Sequence, residues 1–292
     1  MIQFRKLLHE DYDDILDISK DIWDGTDYLP AVYHKWVDDK GIFLGGIDVE
    51  KEKVVAVGKL SVLSDGSGWL EGLRVHINYR GLKLGKRMTE EILSRAIKAL
   101  EEGAINKVAF ATHIGNVESI NMMEKLNFKV VEAQVLAIKN ISKVAPNLTK
   151  DSFVIEPWDI SYEEFVNHTY MKRRNGLLPL AFVFEQVNNE LFESLKANNC
   201  FVKINGHEGL FKYKGEPNFI AMEDNFEGLN TFMDYYLLSY KDKGVQEIYT
   251  PIYQEDKELI ESLKAAGYIS CADWETDYFY YVHAEDAERG HD

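Results

Sequence analysis

At Leu84 the hydrophobic period of this chain changes from two residues to about 3.6. Upstream, GIFLGGIDVEKEKVVAVGKLSVLSDGSGWLEGLRV (41–75) holds three strand-like runs divided by the turn signals EKEK and SDGSG. Downstream, Met88, Ile92, Ala96, Ile97 and Leu100 form one apolar helical stripe that stops at Gly103, a C-terminal cap. The joint is NYRGLKLGKRM (78–88), which sets Arg80, Lys83, Lys86 and Arg87 around Gly81 and Gly85. A strand feeding a glycine loop that opens a helix gathers free backbone N–H groups and the positive end of the helix dipole at one point. Polyphosphate fits such a place. The plainer alternative is an ordinary helix start with a solvated basic face.

Elsewhere the first half reads as a strand over 2–8, a helix over 11–23 with Ile15, Leu16, Ile18 and Ile22 on one face, a strand over 107–112, a helix over 116–126 and a strand through FKVVEAQVLAI. With a second helix entered near Pro30, the order is β-α-α-β-β-β-α-β-α-β. A length of 292 residues predicts two domains, and the polar stretch ISKVAPNLTKDS (141–152) places their boundary so that they span 1–145 and 146–292. In the second half, strand-like NCFVKINGHEGLFKY and EPNFIAME precede a helix over 226–242, the strand EIYTPIY, a helix over 255–266 and the strand DYFYYVH. VAFATHIGNVESINMMEKLNF (108–128) lies over IYTPIYQEDKELIESLKAAGY (248–268) without a gap, pairing Ile120 with Ile260, Met123 with Leu263 and Phe128 with Tyr268. That pattern suits a pseudo-repeat, with chance β-α-β similarity as its rival. The second copy has nothing like the basic loop.

A net charge of -16 argues against nucleic acid and anionic membrane as partners, so any anion site is local. Cys200 and Cys271 lack metal-ligand spacing and read as lone buried thiols of a reducing cytoplasm. No apolar stretch approaches the roughly 20 residues of a membrane helix, and the N-terminus lacks a signal-peptide pattern. GHEG (206–209) lacks a second histidine, so no metal is expected. MKRRNG (171–176), DYDD and HAEDAERGHD read as solvated faces or a loose tail.

Arg80 and Gly85 fit the pattern Arg/Gln-x-x-Gly-x-Gly/Ala, with Lys83 in place of the middle glycine, and Asn116 leads to MMEKLNF, which is similar to an ending LYEKLGF. With EGLRVHINYR and the order of elements over 1–140, these motifs resemble the GNAT N-acetyltransferase superfamily. DGTDYLPAVYHKW (24–36) and LSDGSGWLEGLRV resemble a branch that includes vertebrate histidine N-acetyltransferase. The resemblance covers most of the chain and fades after about residue 140. It implies an α/β fold with a central mixed, mostly antiparallel sheet splayed between strands 4 and 5, plus a second, degenerate GNAT-like domain. It also implies acetyl-CoA as co-substrate. The pyrophosphate would lie on Arg80, Gly81, Lys83, Leu84, Gly85 and Lys86, and the pantetheine arm on Leu73, Arg74, Val75, Asn116 and Met123.

On this resemblance an acceptor amine attacks the thioester directly. Glu71 is the candidate base, and strand alternation sets Trp69, Glu71, Leu73 and Val75 on one side; His76 and His34 are runners-up. A structural ion pair is the plain alternative for Glu71. Met123 stands where the family has a proton-donating tyrosine, leaving Tyr28 or Tyr33 to serve. Asp24 and Asp27 are candidates to hold an ammonium group, Tyr28, Tyr33 and His34 to face a flat ligand, and Arg74 to hold a carboxylate, while Trp36 reads as core. The expectation is an N-acetyltransferase acting on a small-molecule amine, an amino acid such as histidine being favoured. A peptide or protein N-acetyltransferase and a non-catalytic acyl-CoA sensor are the alternatives. Pairing into a homodimer stays open.

Overall fold

A computed structural model describes residues 1–180, 182–213 and 217–284; the acidic tail beyond lies outside the described residues. The first half contains β1 (Ile2–Lys6), α1 (Tyr12–Ser19), α2 (Leu29–Asp38), β2 (Ile42–Asp48), β3 (Lys53–Val62), β4 (Ser67–Val75), α3 (Leu84–Glu101), β5 (Lys107–His113), α4 (Val117–Lys125) and β6 (Phe128–Asn140). The second contains β7 (Ile155–Pro157), α5 (Tyr162–Asn167), α6 (Thr169–Arg173), β8 (Leu177–Leu180), β9 (Val183–Gln186), α7 (Asn189–Ala197), β10 (Phe201–Ile204), β11 (His207–Lys212) and β12 (Asn218–Ala221). It closes with α8 (Phe226–Tyr240), β13 (Glu247–Tyr253), α9 (Lys257–Ala265), β14 (Ile269–Ser270) and β15 (Tyr278–His283).

Two compact units form, and their division differs from a cut at residue 145. Among the described residues, the first takes Met1–Phe110, Met122–Lys129 and the short stretch from Val282 to Ala284; the second takes Ala111–Asn121 and Val130–Tyr281. Within the first unit the Ala284 N–H donates to the Asn127 carbonyl at 2.9 Å, and the His283 ring meets Phe128 edge-on at 5.3 Å. Chain order cannot reveal such a return.

In the first unit β1, β2, β3 and β4 form an antiparallel run, and β4 then pairs with β5 in parallel. Ile15, Ile18, Leu29, Tyr33, Trp36 and Phe43 pack α1 and α2 against one face. On the other, Met88 and Ile92 of α3 contact the positions of Gly46 and Gly58. Each such side chain contributes roughly 1.5–3 kcal/mol on burial, so the apolar stripe of α3 fixes the helix on the sheet. Leu16, by contrast, is exposed, and the helix expected to reach residue 23 stops at Ser19, short of the left-handed Trp23, Asp24 and Gly25.

In the second unit β10 and β11 form a hairpin through Asn205 and Gly206, both at positive φ, flanked by β7 and β12. The aromatic side of α8 packs against Phe211 and Phe219. The bounds of β13 and α9 each lie 140 residues after those of β5 and α4, as 107 against 247 and 125 against 265 show. Met123, Leu263, Phe128 and Tyr268 are all buried. MKRRNG is no solvated run. Arg174 is buried, paired with Glu132 and lying 4.8 Å from the Tyr253 ring, while Arg173 binds Asp224 at 3.1 Å and Asp256. Nor is DYDD merely solvated: Asp11 takes two hydrogen bonds from Arg5 at 2.7 Å, and Asp14 accepts the Val54 N–H at 2.8 Å.

Candidate active site

β4 and β5 pair only where Ser67, Gly68 and Trp69 face Lys107, Val108 and Ala109. Beyond Trp69, β4 has lost its partner on that edge. The His76 N–H turns to β3, donating to Val55 at 2.9 Å, so strand alternation points the backbone of Val75 and Leu73 to the vacated side. Their carbonyls already accept side-chain donors, Leu73 from Arg74 Nη1 at 3.0 Å and Val75 from Arg80 Nε at 3.2 Å. What remains facing the opening is the N–H groups.

The alternation expected for β4 is broken midway. Val57 faces Arg74 whereas Lys59 faces Glu71, so one residue of β3 stands against two of β4. Gly72 makes this bulge at φ +68°, and a Cβ there would lie 2.6 Å from Trp36 Cζ3. Glu71 and Arg74 therefore share a face; the predicted side-by-side set of Glu71, Leu73 and Val75 does not form.

Glu71 is half-buried, accepts the Ser61 hydroxyl at 2.5 Å and faces Lys59. Burial pushes its carboxyl up, against the pull of Ser61 and the Lys59 charge. Lys59 is fully buried, donates to the Trp36 carbonyl at 3.1 Å and pairs with Asp39. Arg74 is committed: Nε and Nη2 each reach Asp27 at 3.0 Å. Asp27 and Arg74 thus satisfy one another, which corrects the expectation that one holds an ammonium and the other a carboxylate. Tyr28 leads into α2, half-buried, with its ring 5.3 Å from the Arg74 guanidinium. Burial raises its phenol pKa, and Arg74 opposes the rise while Glu71 adds to it.

Tyr33 is no site residue: it is fully buried, and its hydroxyl donates to Leu8 at 2.6 Å. Asp24 is exposed in a left-handed conformation. Trp36 is core, as expected. His76 is tied at both nitrogens, to Asp17 at 3.1 Å and the Asn78 N–H at 3.2 Å, and His34 lies 2.9 Å from His9. Met123 is buried. Asn116 falls in the second unit, where its amide donates to Thr112 at 2.9 Å. Sequence reasoning missed Trp23, exposed yet 4.6 Å from the Arg74 guanidinium, and missed Lys59 and Ser61. The SDGSG hairpin held a signal for the last two, since its register places them opposite Glu71 and Trp69.

At the basic loop, α3 opens from Lys83 at φ +58° with no side-chain cap. The N–H groups of Leu84, Gly85 and Lys86 thus have no acceptor within the helix. Gly81, at φ +77°, has nothing near its Cβ direction. Arg80, Lys83 and Lys86 are exposed around this end, Lys86 lying 3.4 Å from Glu90.

A mixed sheet parted between its fourth and fifth strands, with a bulged fourth strand leading to an uncapped basic helix start, defines the GNAT fold. Residues 4–128 match the Acetyltransferase (GNAT) family. Histidine N-acetyltransferase of Oreochromis niloticus is 39% identical over 83 residues, and that of Scomber australasicus 36%. The first match spans 27% of this chain and 24% of that relative, so about a quarter of either protein is compared. Fold similarity extends further. A Thermoplasma acidophilum protein assigned to the acetyltransferases has a TM-score of 0.60 over 96% of this chain and 99% of its own, at 18% identity. The GCN5-related N-acetyltransferase from Sphaerobacter thermophilus gives 0.56 over 96% and 95%, at 12% identity.

Proposed function

We propose that this chain transfers an acetyl group from acetyl-CoA to the primary amine of a small metabolite, an amino acid such as histidine being the favoured acceptor. The observation that carries the reading is the Gly72 bulge, which brings Glu71 and Arg74 to one face beside Tyr28. Arg80, Lys83, Lys86 and the free amides of α3 take the pyrophosphate. The Leu73 and Val75 N–H groups receive the pantetheine arm and polarise the thioester carbonyl, an interaction worth about 3 kcal/mol when directed at a developing oxyanion.

Glu71 removes a proton from the acceptor ammonium, directly or through water, and the raised carboxyl suits that task near neutral pH. The neutral amine attacks the acetyl carbon, the C–S bond breaks, Tyr28 supplies a proton to the departing thiolate, and the excess proton on the new amide nitrogen returns through water to the Tyr28 phenolate. Arg74 acts here by positioning Tyr28. The histidine N-acetyltransferase relatives support an amino acid acceptor.

The test is purified protein with acetyl-CoA and a panel of amines, histidine among them, followed by release of free thiol. Thiol release that depends on the acceptor is expected; its absence for every amine overturns the reading. Competition between free amino acid and peptide then sorts small acceptors from protein ones. A second reading, a non-catalytic acyl-CoA sensor, draws on Met123, which is buried where a proton donor would stand. It requires CoA binding without turnover and no effect of Glu71→Gln.

A further inference from the structure

Three side chains far apart in sequence meet in the second unit. His113 ends β5, Cys271 follows β14, and Asp277 precedes β15. Each offers a ligand atom, and the three atoms lie within 4.8 Å of one another. Two buried atoms of the trio, His113 Nε2 and Asp277 Oδ2, have no hydrogen-bond partner. Asp277 is fully buried, and among the described residues it has no ion-pair partner. Cys271 is exposed, contrary to the expectation of a buried thiol.

The framework around the trio is firm. Asp277 accepts the Ile114 N–H at 2.7 Å through its carbonyl and donates its own N–H to Gln134 at 3.0 Å. Its Oδ1 accepts the Leu136 N–H at 2.8 Å, the backbone amides of Cys271 and Ala272 also favour its charged form, and Oδ2 is buried without a hydrogen bond of normal geometry. The turn carrying Cys271 is closed by the Glu275 N–H on Ala272 at 2.9 Å and passes through Asp273 and Trp274, both left-handed.

We propose that His113, Cys271 and Asp277 bind a divalent transition metal ion, with Zn²⁺ the best match. One sulfur, one nitrogen and one oxygen form a ligand set of borderline softness, which disfavours Mg²⁺ and Ca²⁺. Zinc bonds of about 2.0–2.3 Å require the ligand atoms to close somewhat from the present spread. Cys271 is the exposed member of the trio, so its side chain is the one free to close the gap. Three protein ligands leave a fourth coordination position on the solvent side.

The protons can be followed. His113 Nδ1 accepts the Gly115 N–H at 3.0 Å, so the ring proton of the neutral imidazole sits on Nε2. Binding through Nδ1 displaces Gly115 directly; binding through Nε2 moves the ring proton to Nδ1 and has the same result. The Cys271 thiol loses its proton to solvent on either route. No sequence motif marks the site, because the ligands come from positions 113, 271 and 277.

The full chain, stripped of metal by a chelator and titrated with Co²⁺, gives the test. One equivalent should produce a near-ultraviolet thiolate-to-cobalt charge-transfer band with tetrahedral visible bands, both removed by added Zn²⁺. Cys271→Ser, at an exposed position, should abolish the band, and His113→Gln should weaken Co²⁺ binding by at least the roughly 100-fold that outer-shell losses reach. No band in the unmodified chain means that only water bridges these groups and overturns the proposal. A band that survives Cys271→Ser overturns it too. The readout is independent of acetyl transfer.

Discussion

The starts of α3 and α8 follow strands in the two halves of the chain, yet they are built oppositely. Before α3, β4 carries a bulge; before α8, β12 pairs with β11 in unbroken register from Asn218 to Ala221. α3 opens from a left-handed lysine with no side-chain cap. At α8 the Asn225 side chain accepts the Gly228 N–H at 2.8 Å. Arg80, Lys83 and Lys86 surround the first, whereas Glu223, Asp224 and Glu227 surround the second. Those acids have structural tasks, Glu223 accepting the Glu208 N–H at 3.0 Å and Asp224 pairing with Arg173. A helix start is an anion site only when its amides are spare and its surroundings are not acidic. By that measure the second half has closed the place that the first keeps open.

The bulge is the sharpest point of contrast. Gly72→Ala forces a Cβ into Trp36 at positive φ, and a loss of about 2–4 kcal/mol is expected in denaturant unfolding, with turnover falling as Arg74 and Glu71 part. A neutral result would mean that the bulge does not fix this face.

Next in size is Glu71→Gln. A fall in kcat of about 100-fold is expected, with CoA affinity by calorimetry nearly unchanged. Because burial raises this carboxyl, activity should fade with acid at a pH above the ordinary glutamate value of about 4.3. That acid limb should vanish in the glutamine variant, and its persistence would remove Glu71 as base.

Arg80→Ala should weaken CoA binding by about tenfold, the loss of a charge-assisted hydrogen bond. Asp224→Ala should leave CoA binding as it was. Calorimetry should count one CoA per chain, and a count of two would break the contrast between the helix starts. The smallest effect is expected for Lys83→Gly, which relieves a left-handed residue and raises stability by no more than about 1–2 kcal/mol, while CoA binding drops slightly with the lost charge.

Much of the scaffold was legible because it depends on local periodicity. The strand EIYTPIY coincides with β13, and the apolar stripe after Leu84 with α3. The basic loop followed from its own charges and glycines, and the parting of β4 from β5 from family motifs. Other features were invisible. Period-two reasoning set Glu71 with Leu73 and Val75, because a single left-handed glycine that reverses the phase has no signature in hydrophobicity. Asp27 and Arg74 each read as a ligand for substrate, since pairing across 47 residues leaves no local mark. Arg173 and Arg174 looked like surface for the same reason.

Sequence alone determined the strands and helices of the first half and the last helices of the second, where a positive charge cluster meets spare glycine backbone, and which residues form the apolar stripe of α3, while the elements from β7 to α7 went unread. Those properties arise within a few neighbouring residues, where side-chain period and backbone freedom act directly. Tertiary structure decided which charges neutralise each other, which tyrosine is core and which lies beside Arg74, and that His113, Cys271 and Asp277 converge. These outcomes depend on contacts between distant segments, whose energies are settled only when the chain closes on itself.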